Sequence, residues 1–433
     1  MSPNVVTRFA PSPTGNLNIG GVRAGIFAYL FARNQGGRFI LRIEDTDVER
    51  SKKEYEENII ESLQWLGLEY DDIYRQSEHT ARYKELLHKL VEQNRAYVSK
   101  EEPKEDGNRN EVIRFRNHNK VVSFDDLVHG SISTDTTELK DFVIAKSFTE
   151  PVFHFTNVVD DWDEGVTHVV RGDDHISNTP RQILIQEALG VPRMAYAHLP
   201  LILGDDKSKL SKRKGAKALM EYRELGFIPE GILNFDAFLG WHPVGDVEIL
   251  SKSELVEQFS LERVQKSPGI FNEEKLLWFN HEHLKRLSDD DYATRLKAFS
   301  KQAFDARLVP LIKNRAQTLA EATELLAEYD FLDGASPEAN LLLQHRKLNA
   351  EATKKHLEEV TDMLEKIRNE DFTQEQIKEA VSQYATAQGR GAVLWPLRVA
   401  LSGKEKSPDP FTLAGLLGKE KTLARIEKAR ELL

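Results

Sequence analysis

Cysteine is absent from this 433-residue chain, which excludes disulfides, thiolate zinc sites and cysteine nucleophiles. No apolar run approaches the ~18 residues that cross a bilayer. The opening residues, MSPNVVTRFAP, lack a basic segment followed by an apolar one, so no secretory signal is expected. A cytoplasmic protein without membrane association is the expectation. An excess of positive charge is missing too. The formal net charge is −11, so any nucleic-acid contact must come from local basic patches. There is no low-complexity tract and no convincing repeat. The remaining balance, 30% charged and 40% hydrophobic residues, suits a soluble globular protein of about two to four domains.

The chain is organised around its beginning, VVTRFAPSPTGNLNIGGVRAGIFAYLF. Val5–Phe9 is a β-rich run, and Pro11, Pro13 and Gly15 punctuate a loop. From Gly21 onward Val22, Ile26 and Leu30 recur at helical spacing, with Gly20 and Gly21 at the helix start. A helix N-terminus presents unpaired N–H groups, and glycine admits a phosphate closely. Gly36-Gly37 signals a helix end. The run RFILRI then leads into Glu44-Asp45-Thr46-Asp47. Strand, helix, strand is a βαβ unit and implies a parallel sheet with ligands at its carboxyl edge. Arg8, Ser12 and Glu44 would lie at that edge.

Further along, Tyr55, Ile59, Leu63 and Leu66 mark a helix closed by Gly67, and His79–Asn94 reads as another. Residues 100–110 form a polar loop. Short strands fill Glu111–Phe155, read as a β-rich insertion between two halves of the sheet. The α/β pattern returns with a strand at Gly165–Arg171, a loop at Asp173-Asp174-His175, a helix at Ser177–Leu189 and a strand at Ala195–Leu203. Lys207–Lys217 carries six basic residues and no acid. Trp241 and Pro243 sit in a turn. Helices dominate from Lys313, including Leu319–Tyr329, Ala350–Arg368 and Leu413–Leu432.

Several motifs fail when tested. Gly15 to Gly20 has P-loop spacing, but Gly21-Val22 stands where Lys and Ser/Thr are needed. The order of a dinucleotide fingerprint is missing. His281-Glu282-His283 lacks the spacing of a zinc helix and reads as helix surface. Asp160-Asp161 and Asp205-Asp206 read as structural acids in turns rather than metal ligands. Trp65, Trp278 and Trp395 read as core residues. The basic run is either a solvated loop or a set of cations beside a nucleotide, stabilising a departing pyrophosphate.

Taken together, VVTRFAPSPTGNLNIGG, RFILRIEDTD, NVVDDWDEGVTHVVRGDDHISNTPRQ, KLSKR at Lys209–Arg213, FNEEKLLWFN and WPLRVALSG resemble glutamyl-tRNA synthetases of the bacterial type, a class I family. The likeness runs in order along nearly the whole chain. It implies a Rossmann-like parallel-sheet catalytic domain with a β-rich insertion, then an all-α half that reads the anticodon. The implied boundaries are 1–95 and 156–240 for the two catalytic halves, 96–155 for an acceptor-end insertion, 241–312 for a stem-contact domain and 313–433 for the anticodon-binding domain. The implied chemistry is activation of L-glutamate by magnesium–ATP, then transfer to tRNA(Glu), by a monomer with no bound zinc. The protein would act by positioning and electrostatics.

The resemblance also implies roles. Arg8, Ser12, Glu44, Phe153, Asn157 and Arg171 would form the glutamate pocket. The arginines suit carboxylates through paired charge-assisted bonds, and Glu44 suits the α-ammonium. Asn18, Gly20, Gly21, Asp174, Lys209, Lys212 and Arg213 would face ATP, with Lys212 on its phosphates in the transition state. Arg398 would touch the anticodon. Three departures stand out. Asn18 replaces the first His of the HIGH motif and cannot carry positive charge. Phe153 replaces a tyrosine. The loop at 100–110 is shorter than is usual. A glutaminyl enzyme, a non-discriminating enzyme that also charges tRNA(Gln), a paralogue that modifies a tRNA base and a non-catalytic regulatory paralogue are the competing readings.

Overall fold

A computed structural model of the protein describes residues 5–100, 111–204, 206–208, 210, 217–332, 334, 337–344 and 349–433. Lys209, Lys212 and Arg213, and the loop from 101 to 110, lie outside them. The chain forms two compact units, one ending at Leu287 and one spanning Ser288–Leu433.

The first unit begins with β1 (Val6–Phe9), α1 (Ile19–Asn34), β2 (Arg38–Ile43), α2 (Lys53–Leu66), β3 (Asp72–Arg75) and α3 (Thr80–Glu92). The strands pair in parallel, β1 with β2 and β2 with β3. Gly36 takes the left-handed conformation (φ 65°) that ends α1, and the Gly37 N–H returns to Ala32 O at 2.8 Å. Helix α1 is buried on more than the expected stripe, because it packs against β1 and against two later helices. The contact with β1 is close. A Cβ on Gly25 would lie 2.9 Å from the Phe9 ring.

The insertion holds β4 (Ala96–Lys100), β5 (Glu111–Phe115), β6 (Val121–Asp126), β7 (Gly130–Asp135), β8 (Phe142–Ser147) and β9 (Glu150–Pro151). Strands β4, β5, β8 and β9 make an antiparallel sheet of their own. The β6–β7 hairpin instead joins the catalytic sheet through the pair Tyr196–Asp126. Next come α4 (Phe153–Asp163), β10 (His168–Gly172), α5 (Thr179–Leu189), β11 (Ala195–Leu199) and β12 (Ile202–Leu203). The Thr167 N–H donates to Val6 O at 3.0 Å, which sets β10 beside β1. The order β3-β2-β1-β10-β11 is that of a nucleotide-binding α/β sheet. The unit closes with α6 (Leu219–Glu224), α7 (Pro229–Phe238), α8 (Lys252–Gln258), β13 (Gly269–Ile270) and α9 (Glu273–Arg286).

Several expectations need correction. Phe153–Asp163 is a helix, not the end of a strand-rich stretch. Its aromatic and β-branched residues favour strands locally, but Phe155, Val158 and Val159 bury at helical spacing. Asp160-Asp161 therefore sits on a helix rather than in a turn. Asp173–Asn178 is a short 3₁₀ helix rather than an open loop. The strand expected at Ala195–Leu203 breaks at Pro200, which cannot donate to a ladder. Trp278 is 36% exposed, whereas Trp241 is fully buried and bridges to Val264. His283 is buried, hydrogen-bonded to Asn234 Oδ1 at 2.9 Å, so it is not helix surface.

The second unit holds helices and no strand among its described residues: α10 (Asp289–Ser300), α11 (Val309–Lys313), α12 (Leu319–Ala327), α13 (Ala339–Leu343), α14 (Ala350–Glu365), α15 (Gln374–Gln388), α16 (Arg390–Ser402) and α17 (Pro410–Glu431), the last kinked at Gly418. No helix among the described residues is long and apolar enough to cross a membrane.

Candidate active site

Where β1 and β10 end, a cavity of about 530 Å³ opens beside the N-terminus of α1. That helix starts at Ile19, two residues before the expected position. Asn18 is its N-cap, and its Oδ1 accepts the Gly21 N–H at 2.8 Å. Gly20 and Gly21 thus lie in the first turn, and all three residues border the cavity. The cap commits the oxygen of Asn18 and leaves its amide N–H groups as donors at a positive helix end. Asn18→Asp keeps an equally good cap but adds negative charge there. The expected result is a melting temperature equal to or slightly above that of the wild type, read by a thermal melt.

Arg8 and Glu44, which line the cavity, are backed by a network of buried charges that does not itself reach it. Arg42 donates through Nε and Nη2 to the two carboxylate oxygens of Glu164 at 2.8 and 2.7 Å. Arg42 Nη2 also donates to Asp161 Oδ1, which accepts from Arg8 Nε at 2.9 Å. Burial pushes the Asp161 carboxyl up, but Arg42 and Arg8 outweigh it and hold it below the ordinary range. Asp160, one residue away, accepts from Tyr83 and Gln76, both at 2.6 Å, and burial raises it to about 7. The structural reading of these two acids holds.

Two charges at the cavity have no such bidentate partner. Among the described residues, the Glu44 carboxylate accepts only a long bond from Asn157 Nδ2 at 3.2 Å and stands 4.0 Å from Arg42. Burial raises its pKa against the pull of Arg42 and Arg8. The Asn157 Oδ1 is fixed by Gln182 at 3.0 Å. Arg171 donates to His198 Nε2 at 3.1 Å and to Thr179 Oγ1 at 2.8 Å. Its Nη1 is buried without a hydrogen-bond partner among the described residues. Burial lowers the guanidinium to about 10, so it stays charged at neutral pH.

The fold therefore brings Arg8, Ser12, Glu44, Phe153, Asn157, Arg171 and Asp174 to one cavity with Asn18, Gly20 and Gly21. Ser12 is exposed on the loop after β1, and the Phe153 ring lies 5.2 Å from His175. Leu210, next to the undescribed part of the basic run, also lines it. Arg398 is in the other unit, on α16. It lies 4.7 Å over the Trp395 ring and donates to Glu405 O at 2.7 Å. Sequence reasoning gave no role to Arg23, which lines the cavity and donates to Leu239 O at 2.6 Å and to Pro200 O. Burial lowers it to about 10 against the pull of Asp236 and Asp173. It follows Val22 on a helix buried nearly all round, and a single-stripe pattern does not reveal that.

Residues 4–111 and 100–278 match the family described as tRNA synthetases class I (E and Q), catalytic domain, and residues 274–430 match an anticodon binding domain family. With the sheet order and the site at its carboxyl edge, this defines the protein as a class I tRNA synthetase. The chain is 40% identical to glutamate–tRNA ligase 1 of Acidithiobacillus ferrooxidans, over 98% of this chain and 99% of the relative. It is 40% identical to glutamate–tRNA ligase of Geobacter sulfurreducens, over 98% of each. A solved glutamate tRNA ligase from Elizabethkingia meningosepticum, in complex with its amino acid, is 30% identical. That structure matches with a TM-score of 0.82, over 99% of this chain and all of the other. The chain belongs to the glutamate–tRNA ligase family.

Proposed function

We propose that the protein activates L-glutamate with ATP and transfers it to the 2′-hydroxyl of the terminal adenosine of tRNA(Glu). The observation that carries this reading is one cavity with a buried cation, Arg171, whose Nη1 has no partner among the described residues, and a buried carboxylate, Glu44. An amino acid with an acidic side chain complements both. Glu44 takes its ammonium, and Arg171, with Arg8, takes carboxylate charge. Ser12, Phe153 and Asn157 shape the pocket. ATP, with the divalent ion it carries as substrate, lies against Asn18, Gly20, Gly21 and Asp174.

In the first step a glutamate α-carboxylate oxygen forms a bond to the α-phosphorus. The bond from that phosphorus to the bridging oxygen breaks, and pyrophosphate leaves with the electron pair. In the second, the 2′-hydroxyl oxygen bonds to the adenylate carbonyl carbon, the bond from that carbon to the phosphate oxygen breaks, and AMP departs with the electron pair as the hydroxyl proton is released. No side-chain nucleophile is required, so the protein's contribution is positioning and fixed charge. Lys212, with Lys209 and Arg213, is proposed to meet the charge that develops on the leaving phosphates. Lys212→Ala is expected to slow adenylate formation about tenfold or more, measured by single-turnover kinetics, without lowering the melting temperature. Unchanged turnover would remove Lys212 from the mechanism.

Residues 96–155 are proposed to grip the acceptor end, 241–312 to contact the stem and 313–433, with Arg398, to read the anticodon. The ion is proposed to be magnesium, and the protein to act as a cytoplasmic monomer. The test is aminoacylation with ATP and glutamate, tRNA present throughout, comparing tRNA(Glu) with tRNA(Gln). Tight binding of tRNA(Glu) with no charging would overturn the enzymatic reading.

A further inference from the structure

The two arginines at the amino-acid end of the cavity are held by different chemistry. Arg8 is paired where it stands with Asp161, a carboxylate it shares with Arg42. Arg171 is held by neutral acceptors, His198 Nε2 and Thr179 Oγ1, and no carboxylate pairs with it among the described residues. The matching carboxylate stands one residue further back. Asp126 Oδ2 lies 2.6 Å from His198 Nδ1. Asp126 Oδ1 is fixed by the Val128 and His129 N–H groups, both at 2.9 Å. Those bonds and the imidazole hold its pKa down against burial. An ionised carboxylate only accepts, so Nδ1 carries the imidazole proton and Nε2 turns its lone pair to Arg171. His198 and Thr179 are 0% exposed, Asp126 3% and Arg171 6%, so solvent does not screen the arrangement.

We infer that Asp126 and His198 are positioning residues that orient Arg171 through a neutral imidazole, so that its charge stays available to a carboxylate of the substrate. This deepens the proposed function and rests on the reading of the cavity as a glutamate pocket. A carboxylate directly on Arg171 would hold the guanidinium equally well but would cancel the charge. The pocket would then have little reason to prefer an acid over its amide. With the imidazole between them, the bonding geometry is kept and the neutralising charge is displaced. The device also ties the pocket to the strand-rich insertion, because Asp126 is the last residue of β6.

The test is Asp126→Asn in the full-length protein, with KM for glutamate and for ATP measured separately and tRNA present. Val128 and His129 hold the amide oxygen, so the NH2 group faces His198 Nδ1 and also the His198 backbone N–H, which donates to Oδ2 at 3.1 Å in the wild type. The imidazole proton moves to Nε2, where it opposes the Arg171 N–H. The expected result is a rise of about tenfold or more in KM for glutamate, with KM for ATP unchanged. His198→Gln, a neutral acceptor, should stay close to the wild-type value. His198→Glu should lose glutamate affinity at least as far as Asp126→Asn. If His198→Glu does not fold, Asp126→Asn decides alone. An unchanged glutamate KM in Asp126→Asn, or an equal rise for ATP, overturns the inference. A wild-type protein that neither charges tRNA with glutamate nor is stabilised by it against heat overturns the underlying reading instead.

Discussion

Arg171→Met is expected to raise KM for glutamate about a hundredfold or more while leaving the melting temperature equal to or above that of the wild type. The two halves of this result have one cause. In the unliganded protein Arg171 is a buried cation with an unpartnered Nη1 and no ion pair among the described residues. Burying such a charge opposes folding. Methionine fills similar length without the desolvation cost, and Thr179 Oγ1 remains 3.1 Å from His198 Nε2 to serve that lone pair. Loss of one partner from a buried charge pair costs about 2–5 kcal/mol of binding, which sets the scale of the kinetic effect. Thermal melts with and without glutamate give a second readout. Ligand stabilises a fold through RT ln(1 + [L]/Kd), so added glutamate should raise the melting temperature of the wild type and not of the variant. A variant that melts lower yet binds glutamate normally would make Arg171 a structural residue.

Arg42→Met should do the reverse and destabilise the protein by about 3–5 kcal/mol, the usual cost of leaving buried charges without their partner. Arg42 is 0% exposed and serves two carboxylates, Glu164 and Asp161. The pH dependence has a definite sign. In the wild type, burial raises Asp161, but Arg42 and Arg8 carry it below its ordinary value. It therefore contributes stability above its unfolded pKa, which is lost as pH falls through the folded one. Without Arg42, only Arg8 opposes the effect of burial on Asp161. The folded pKa rises, and acid relieves the penalty instead of adding one. The stability deficit of Arg42→Met should be largest near neutral pH and should narrow on acidification, followed by urea unfolding at several pH values. A deficit independent of pH would mean that packing by the side-chain stem, not its charge, was lost.

The difference between the two arginines was not legible in the chain. Both sit at or next to the end of β-rich runs, and the resemblance placed Arg171 but not Arg42 in the pocket. Their partners lie away from them in sequence: Arg42 meets Asp161 across 119 positions and Glu164 across 122, and Arg171 meets His198 across 27. No periodicity reports such a meeting. Asn18 is an intermediate case. It stood out as the departure from the HIGH motif, yet its work as the cap of α1 follows from a residue preference that is local and readable. The two glycines mark the region of the α1 start but sit inside its first turn, because the cap is Asn18.

What the sequence determined by itself was the set of elements whose signals are local. These include β1, the loop, α1 and β2 at the start, the helix ends at Gly36 and Gly67, and the helical character of the second unit. Turn residues and apolar spacing act within a few positions, so they survive without tertiary context. Ordered motifs along the chain did the rest and pointed to one family and to most of the residues that converge on the cavity. Tertiary structure alone decided that Phe153–Asp163 is a helix, that the β6–β7 hairpin completes the catalytic sheet, and which buried charges cancel. Those outcomes depend on burial and on the distance between charged atoms, and both are properties of the packed chain.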